Sequence, residues 1–135
     1  MTGSAAALQK GLFEALRDDA ELAVLLGGKR IHDRVPPKTP FPYVTLGETV
    51  SRDWSTATEA GAEHFLNILI WARDSGRGRV LDIAGRIAVI LGDGLPLLDG
   101  HRLVNLALNE VLARDTDGRG SCLGTMRYRA VTEPE

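Results

Sequence analysis

The sequence predicts a single α+β domain in which helices pack on one face of an antiparallel β-sheet, in the order α-β-β-α-β-β. The length of 135 residues is that of one domain, here residues 1–135. Two segments carry apolar residues at helical spacing, and four segments show the alternation and the β-branched content of strands. Helices that alternate with pairs of strands favour a sheet whose helices lie together on one side.

The first helix is predicted to begin after the N-cap candidate Ser4, because apolar residues then recur at helical spacing as far as Leu16. Two aspartates follow, and they either end this helix or cap a short second helix over residues 21–26, which two glycines stop. Residues 31–42 are predicted to form an extended connection. Four prolines within seven positions of this segment exclude both a helix interior and a central strand.

The first two strands are predicted over residues 43–50 and 62–73. The second of them, AEHFLNILIWAR, is largely apolar on both faces, and such a strand is usually covered on both sides. One cover is expected to be the chain's own helix, and the other is expected to come from a neighbouring subunit. The two faces carry Leu66, Ile68, Ile70 and Ala72 on one side, and Phe65, Asn67, Leu69 and Trp71 on the other.

The second half repeats this arrangement with a turn over residues 74–78, a helix, and two strands over residues 101–114 and 122–131, before a polar tail. The apolar face of the helix is marked by Val80, Ile83, Ala84, Ile87, Ala88 and Leu91. The third strand is expected to place Val104, Leu106, Leu108 and Leu112 on one face, and Asn105, Ala107 and Asn109 on the other. The last strand is expected to place Met126, Tyr128 and Ala130 opposite Thr125, Arg127 and Arg129.

Bulk composition excludes several classes of protein. Sixteen Lys and Arg residues against eighteen Asp and Glu residues give a net charge of -2, whereas nucleic-acid-binding domains are normally clearly basic. The single cysteine, Cys122, cannot form an internal disulfide. The N-terminal stretch does not match a secretory signal, and no apolar run approaches the ~20 residues that span a bilayer. The chain is therefore expected to be cytosolic where it is made, with no membrane partner.

The sequence offers no constellation of catalytic or metal-binding residues. His32, His64 and His101 lack the spacing of a helical metal site, and they are expected to be largely solvated. Cys122 has no histidine close in sequence, so a buried structural thiol is expected. The DSGRGR stretch lacks the spacing of a Walker loop or a dinucleotide loop, and a glycine turn with solvated arginines is favoured over an anion site. No catalytic, cofactor-binding or metal-binding residue is predicted, and the chain is not expected to be an enzyme.

Two hairpin loops are the candidate interaction sites. Residues 51–61, SRDWSTATEAG, are more than a hairpin needs, and long loops are usually functional or mobile. Trp54 in this loop either folds back onto the sheet as a lid or anchors a partner. The second loop, residues 114–120, alternates charge and glycine, as solvated turns also do. The interface candidates are Arg52, Asp53, Trp54, Arg114, Asp115, Asp117 and Arg119.

The order of several stretches resembles the tail-completion, or tail-terminator, proteins of long-tailed phages and gene transfer agents. The stretches are LQKGLFEALRDDAELAVLLGGKRIHDRVPPKTPFPYVTLGE, then RDWS, then EHFLNILIWAR with SGRGRV, then DGHRLVNLAL and MRYRAVTE, which together cover nearly the whole chain. The resemblance implies a structural virion protein that caps the head-proximal end of the tail tube as a six-membered ring. Such a ring ends tube polymerisation and forms the joint to the head-completion proteins.

The partners that the resemblance implies are further copies of the chain, the major tail tube protein and a head-completion or adaptor protein. DNA is expected to pass through the lumen without sequence-specific binding. Assembly is expected in the host bacterial cytoplasm, followed by a place at the head–tail junction of the virion or gene-transfer-agent particle. The alternative is a small-molecule-binding α+β domain that dimerises through its sheet, with Asn105, Asn109, Arg127 and Arg129 lining the ligand face.

Overall fold

The structure is a computed structural model that describes residues 3–74, 76–95 and 98–135. Within these ranges the chain forms three helices and five strands. In chain order they are α1 (Ser4–Arg17), α2 (Ala20–Leu26), β1 (Ile31–His32), β2 (Tyr43–Asp53), β3 (Ala62–Arg73), α3 (Gly76–Gly92), β4 (His101–Asp115) and β5 (Ser121–Pro134). The predicted α+β class and the predicted order of the long elements are confirmed.

The strands form one sheet in the order β1-β2-β3-β5-β4. The four long strands pair antiparallel, as predicted, whereas β1 is parallel to β2 through the pair Ile31 and Val44. The sheet is therefore mixed, and the connection predicted over residues 31–42 begins with a two-residue strand. The prolines that follow lack a backbone donor and keep this strand short.

Two strands are longer than their sequence pattern predicts. β2 continues to Asp53 because residues 51–53 pair with the start of β3, so the hairpin loop shortens to residues 54–61. β5 continues to Pro134, since the segment predicted as a polar tail pairs with the start of β4. The bounds of β3 are those predicted, and α3 begins at Gly76, inside the predicted turn.

The core lies between the helices and one face of the sheet, which we call the covered face; the opposite face is the open face. Gly124 of β5 lies under α3, where a Cβ atom would be 2.4 Å from Cγ1 of Val80. Arg86 of α3 donates a 2.7 Å hydrogen bond to Asp19, the N-cap of α2, and this bond lowers the pKa of Asp19. The largest buried side chains include Leu8, Leu16, Leu22, Leu26, Ile68, Ile70, Ile83, Ile87 and Met126.

The alternation predicted for β4 is partly wrong, because its register against β5 shifts twice, between Leu103 and Asn105 and between Leu108 and Glu110. Each bulge adds one residue and exchanges the faces of the residues that follow. The predicted face of four apolar residues is therefore divided: Leu106 and Leu108 lie on the covered face opposite Ala130 and Tyr128, Leu112 lies on the open face opposite Thr125, and Val104 lies in the first bulge. The predicted alternation of β5 is confirmed by its burial.

Candidate functional site

The two predicted loops lie at opposite ends of the sheet. The loop over residues 54–61 joins β2 to β3, and the loop over residues 116–120 joins β4 to β5 beside the end of β3. The twelve residues of β3 span about 40 Å. The structure thus separates the seven interface candidates into two groups: Arg52, Asp53 and Trp54 at the first end, which we call the Trp54 end, and Arg114, Asp115, Asp117 and Arg119 at the second, which we call the arginine end.

Trp54 is folded back over the open face of the sheet. Cζ of Arg129 lies 5.2 Å from the centroid of its ring, a cation–π geometry, and the backbone N–H of Trp54 donates to the carbonyl of Gly61 at 2.9 Å. The side chain is nevertheless 52% exposed. The contact with Arg129 agrees with the lid interpretation of Trp54, and both the lid and the anchor interpretation stay predictions.

Arg129 is fixed in turn by a carboxylate. Its Nε donates to Oε2 of Glu63 at 2.7 Å, and the side chain of Glu63 is only 8% exposed. A buried carboxylate requires such a partner, because an unpaired charge in the interior is strongly unfavourable. Trp54, Arg129 and Glu63 therefore form one packed unit that joins the hairpin loop to β3 and β5. The sequence offers no local signal for it, since Glu63 and Arg129 are separated by 66 positions.

Arg52 and Asp53 precede Trp54 and make different contacts. Asp53 accepts hydrogen bonds from the hydroxyl of Ser55 at 2.5 Å and from its backbone N–H at 3.0 Å. The hydroxyl contact is the main cause that lowers the pKa of Asp53, so this carboxylate stays ionised. The guanidinium of Arg52 lies over the ring of Phe65 at 5.3 Å on the open face. The charges of both residues remain accessible at the Trp54 end.

A groove of about 150 Å³ runs along the Trp54 end, between the hairpin loop and the edge of the sheet. Its apolar walls are Trp54, Val104 and Val131, and its carboxylates are Glu59 and Glu133. Glu133 is paired with Arg102. No Lys, Arg or His of the described residues lies within salt-bridge distance of Glu59. The groove therefore combines an aromatic wall with an exposed carboxylate, Glu59, whose charge acts on Arg102 without a direct salt bridge.

The arginine end is built around the β4–β5 hairpin. Asp117 accepts hydrogen bonds from the backbone N–H groups of Arg119 at 2.8 Å and of Ser121 at 3.4 Å, and the first of these is the main cause that lowers its pKa. The backbone N–H of Asp74, just after β3, donates to the carbonyl of Gly120 at 2.9 Å. The hairpin is thus tied to the turn from which α3 begins.

Arginine side chains surround this hairpin. Arg77, Arg114 and Arg119 are exposed, and no carboxylate of the described residues lies within salt-bridge distance of their guanidinium groups. Arg73 lies over the ring of Phe41 at 4.4 Å, and Arg79 donates to the carbonyl of Leu25 at 2.9 Å. The first turn of α3 holds two of these arginines and no acidic residue, although a helix N-terminus favours negative charge. Arginines outnumber aspartates at this end, where Arg73, Arg77, Arg79, Arg114 and Arg119 lie near Asp74, Asp115 and Asp117, so its net charge is positive.

The predicted solvation of the histidines is wrong for two of the three, because His64 is 0% and His101 is 8% exposed. Both ring nitrogens of His64 have hydroxyl partners, Ser51 Oγ at 2.7 Å from Nδ1 and Thr132 Oγ1 at 2.9 Å from Nε2. These cross-strand contacts satisfy the ring and permit its burial. Burial, followed by the charge of nearby His101, lowers the pKa of His64. The arrangement links three strands and leaves neither ring nitrogen available to a substrate.

The remaining chemical candidates are structural. Cys122 is buried, as predicted, and its thiol donates to Asp115 at 3.3 Å; burial is the main cause that raises its pKa. Among residues 3–74, 76–95 and 98–135, no group of three or more His, Cys, Asp and Glu side chains is arranged to hold a metal ion. No helix in the same ranges is long and apolar enough to cross a membrane.

The four residues of the alternative ligand face do not converge on a site. Asn105 shares the open face with Arg127 and Arg129, whereas Asn109 stands in the second bulge of β4. Arg129 is engaged by Glu63, and Arg127 pairs with Glu110 at 3.1 Å. Both arginines of that hypothesis therefore already have carboxylate partners within the chain.

Apolar side chains remain exposed along β4, the edge strand of the sheet beyond β5. Val104 is 50%, Leu108 39%, Val111 40% and Leu112 44% exposed. The open face beside β2 and β3 is only half covered, with Tyr43 stacked on Trp71 at 6.2 Å. A long edge strand with exposed apolar side chains is a surface that soluble proteins normally protect or pair.

Comparison with known proteins gives two consistent kinds of match over nearly the whole chain. A family model described as Tail completion protein gp17 matches residues 10–133. Among solved structures, a chain of the virion of a native gene transfer agent particle is 32% identical, with a TM-score of 0.86 over 98% of this chain and 99% of that chain. The gp17 protein of bacteriophage SPP1 is 25% identical, with a TM-score of 0.58 over 92% of this chain and 87% of that chain.

A third kind of match is partial. A feruloyl CoA ortho-hydroxylase of Ipomoea batatas is 30% identical over 113 residues, which are 83% of this chain and 31% of the enzyme. A bifunctional coumaroyl CoA and feruloyl CoA ortho-hydroxylase of the same plant is 28% identical over 84% of this chain and 32% of that enzyme. The chain spans about a third of the length of these enzymes.

Proposed function

Because the chain belongs to the tail completion protein gp17 family of structural phage proteins, we propose that it caps the head-proximal end of a tail tube as a six-membered ring. In this role it ends tube polymerisation and forms the joint to the head-completion proteins. The observation that carries the proposal is the match to a chain of a gene transfer agent virion over 98% of this chain at a TM-score of 0.86. A likeness that covers both chains almost fully supports a common position in the particle, and it supports a structural role over an enzymatic one.

The geometry of the domain suits a joining piece. Its two candidate contact regions lie about 40 Å apart along β3, one at each end of the sheet. A protein that touches several neighbours at once needs such separated surfaces, because one compact site holds one partner. The partners that we propose are further copies of this chain, the major tail tube protein and a head-completion or adaptor protein.

The exposed apolar residues also fit an assembled state. A ring gives every subunit two different contacts that close by rotation, and these contacts bury surface that an isolated subunit exposes. The edge strand β4, with Val104, Leu108 and Val111 exposed, offers such surface. We therefore extend the expectation from β3: a neighbouring copy covers apolar surface that the chain's own helices leave open.

The charge of the chain suits a channel through which DNA moves. A lumen that bound phosphates tightly would slow the passage of DNA. The net charge of -2 gives no strong positive field over the whole domain, so such tight binding is not expected. We propose that the protein assembles in the cytoplasm of the bacterial host and is then retained at the head–tail junction of the virion or gene-transfer-agent particle.

Electron microscopy of particles made without this gene tests the function directly. Tails of uncontrolled length beside separate, DNA-filled heads are the expected result for a protein that both ends the tube and forms the joint. Normally joined particles with tails of uniform length would rule out both roles. Expression of the wild-type chain from a plasmid is the control, and it is expected to restore joined particles.

The hairpin loop at the Trp54 end is proposed to make axial or inter-subunit contacts, as its length, Trp54 and its mixed charges suggest. Trp54→Ala and Arg52→Ala are expected to reduce ring assembly and tail joining in that complementation assay. Val24→Ala is the matched control, since Val24 is 80% exposed on α2. Joining that is unaffected by both loop substitutions would remove this loop from the contacts.

A further inference from the structure

We propose that the groove at the Trp54 end receives an arginine from the arginine end of a second copy, so that copies contact one another end to end. The proposal rests on the proposed ring and names two of its contact surfaces. It goes beyond that function because it joins the two loops to each other across a subunit boundary, instead of joining each loop to a different partner.

The groove has the chemistry that recognises a guanidinium group. Trp54 supplies an aromatic wall, and Val104 and Val131 supply apolar contacts for the methylene stem of an arginine side chain. Glu59 supplies an exposed carboxylate with no Lys, Arg or His of the described part of the chain at salt-bridge distance, since the nearby Arg102 is paired with Glu133.

The groove is not filled by an arginine of its own chain. Arg129 occupies one face of Trp54 and is held by Glu63, while Arg102 pairs with Glu133. These two arginines fix the walls and neutralise the inner carboxylates. Because Trp54 remains 52% exposed, part of its surface is accessible for a further cation.

The opposite end of the sheet presents the complementary group. Arg119 lies at the tip of the β4–β5 hairpin, where Asp117 fixes its backbone through the 2.8 Å hydrogen bond to its N–H. Its side chain is exposed and without a carboxylate at bridging distance in the described residues, as are those of Arg77 and Arg114. The exposed tryptophan and this exposed arginine, two residue types that are enriched in interfaces, thus lie at opposite ends of the sheet.

The charge pattern favours a second copy over nucleic acid as the occupant of the arginine end. Asp74, Asp115 and Asp117 lie among the arginines, so the positive charge of this end is local and suits a single carboxylate-lined groove better than a continuous row of phosphates. A second copy supplies both halves of a complementary contact. The contact is heterologous, because different surfaces of the two copies meet, and this is the type of contact that closes into a ring.

Crosslinking within assembled particles tests the proposal. Particles made with the full chain carrying Glu59→Cys and Arg119→Cys are treated with a short thiol-reactive crosslinker and analysed under denaturing conditions. A ladder of linked copies is expected, since every copy then carries one reactive group at each end. The matched controls carry Glu59→Cys alone or Arg119→Cys alone, and they are expected to give no ladder. The native Cys122 is buried and is present in all three proteins.

Exchange of the two charges gives a second test. Rescue by the double exchange is not expected if Glu59 and Arg119 have only structural roles. Glu59→Arg alone and Arg119→Glu alone are each expected to lower the yield of joined particles about tenfold, and the double exchange in one chain is expected to restore most of it. Joined particles without a ladder, or a double exchange without rescue, would overturn the end-to-end contact and leave the proposed function intact. Salt-sensitive binding of the full chain to duplex DNA that Arg119→Glu abolishes, without a ladder, would assign the arginine end to nucleic acid instead.

Discussion

Arg129 and Glu63 form a 2.7 Å ion pair between the neighbouring strands β5 and β3, on the open face of the sheet and directly under Trp54. Glu63 is 8% exposed in its side chain, so its charge is largely removed from water. The ion pair therefore supports the hairpin loop from below, through the contact of Arg129 with Trp54. The same three residues set the shape of the groove at the Trp54 end.

Removal of Arg129 is expected to be more harmful than the loss of an ordinary surface ion pair. Arg129→Met leaves the buried carboxylate of Glu63 unpaired, which costs about 1–3 kcal/mol of the free energy of unfolding. Arg127→Met is the matched control, because Arg127 lies on the same strand and face and its pair with Glu110 is 57% and 51% exposed. That substitution is expected to cost about 0–1 kcal/mol. Urea denaturation measures the free energy of unfolding of both variants. Equal losses would show that the pair under Trp54 contributes no more than an exposed ion pair.

Two glycine-to-alanine substitutions are expected to have opposite effects on stability. One lies at the contact between α3 and the sheet, and the other lies inside α3. In Gly124→Ala the new Cβ would lie 2.4 Å from Cγ1 of Val80 and 3.3 Å from Cβ of Ile70, so we expect a loss of about 1–3 kcal/mol. In Gly85→Ala the new Cβ meets no atom within 4 Å beyond its chain neighbours and the helix's own backbone, and the helix interior gains about 1 kcal/mol. Thermal unfolding measures both changes. A stable Gly124→Ala protein would mean that α3 does not pack this closely on β5.

The parts of the fold that depend on local pattern are predictable from the sequence. The bounds of β3 follow from twelve residues rich in β-branched and aromatic side chains, and the alternation of β5 follows from its polar and apolar positions. The opposite placement of the two loops is not of this kind, because it requires β3 to pair with β5 instead of with β4, the next strand along the chain.

The errors arise where a distant contact overrides the local pattern. Nothing in the sequence of β4 marks the two bulges, which are set by pairing with β5, so the face of Leu112 was not predictable. The burial of His64 depends on Ser51 and Thr132, which lie 13 and 68 positions away. The ion pair under Trp54 has the same origin. The candidate loops were therefore found from the sequence, whereas the residues that hold them in place were not.

Tyr128 offers a test of a buried polar group without a partner. It is 3% exposed, its hydroxyl oxygen has no hydrogen-bond partner among the residues that the structure describes, and burial raises its pKa to about 12. Tyr128→Phe removes the hydroxyl and preserves the ring, so the free energy of unfolding is expected to rise by about 1 kcal/mol or to stay unchanged. Urea denaturation at neutral pH measures the change. A loss above about 1 kcal/mol would reveal a hydrogen bond that the hydroxyl makes in solution.

The free energy of unfolding is expected to decrease as the pH falls, because of the titration of His64. Burial is the first cause that lowers its pKa below the ordinary value of 6.5, and the charge of His101 is the second. The unfolded chain therefore takes up a proton near pH 6.5, whereas the folded chain takes it up only at lower pH. Below pH 6.5 the unfolded state binds more protons, so the contribution of His64 is present in full above that pH and is lost as the pH falls.

The pH window separates this effect from that of the carboxylates. Asp19, Asp53 and Asp117 have pKa values lowered from 3.8, so their contributions are lost only in more acidic solution. Chemical denaturation at steps from pH 8 to pH 5 is expected to show a decline that His64→Gln flattens, because Gln does not titrate. His32→Gln is the control, since His32 is less buried, and it is expected to retain the decline. A decline that persists unchanged in His64→Gln would assign the titration to another group.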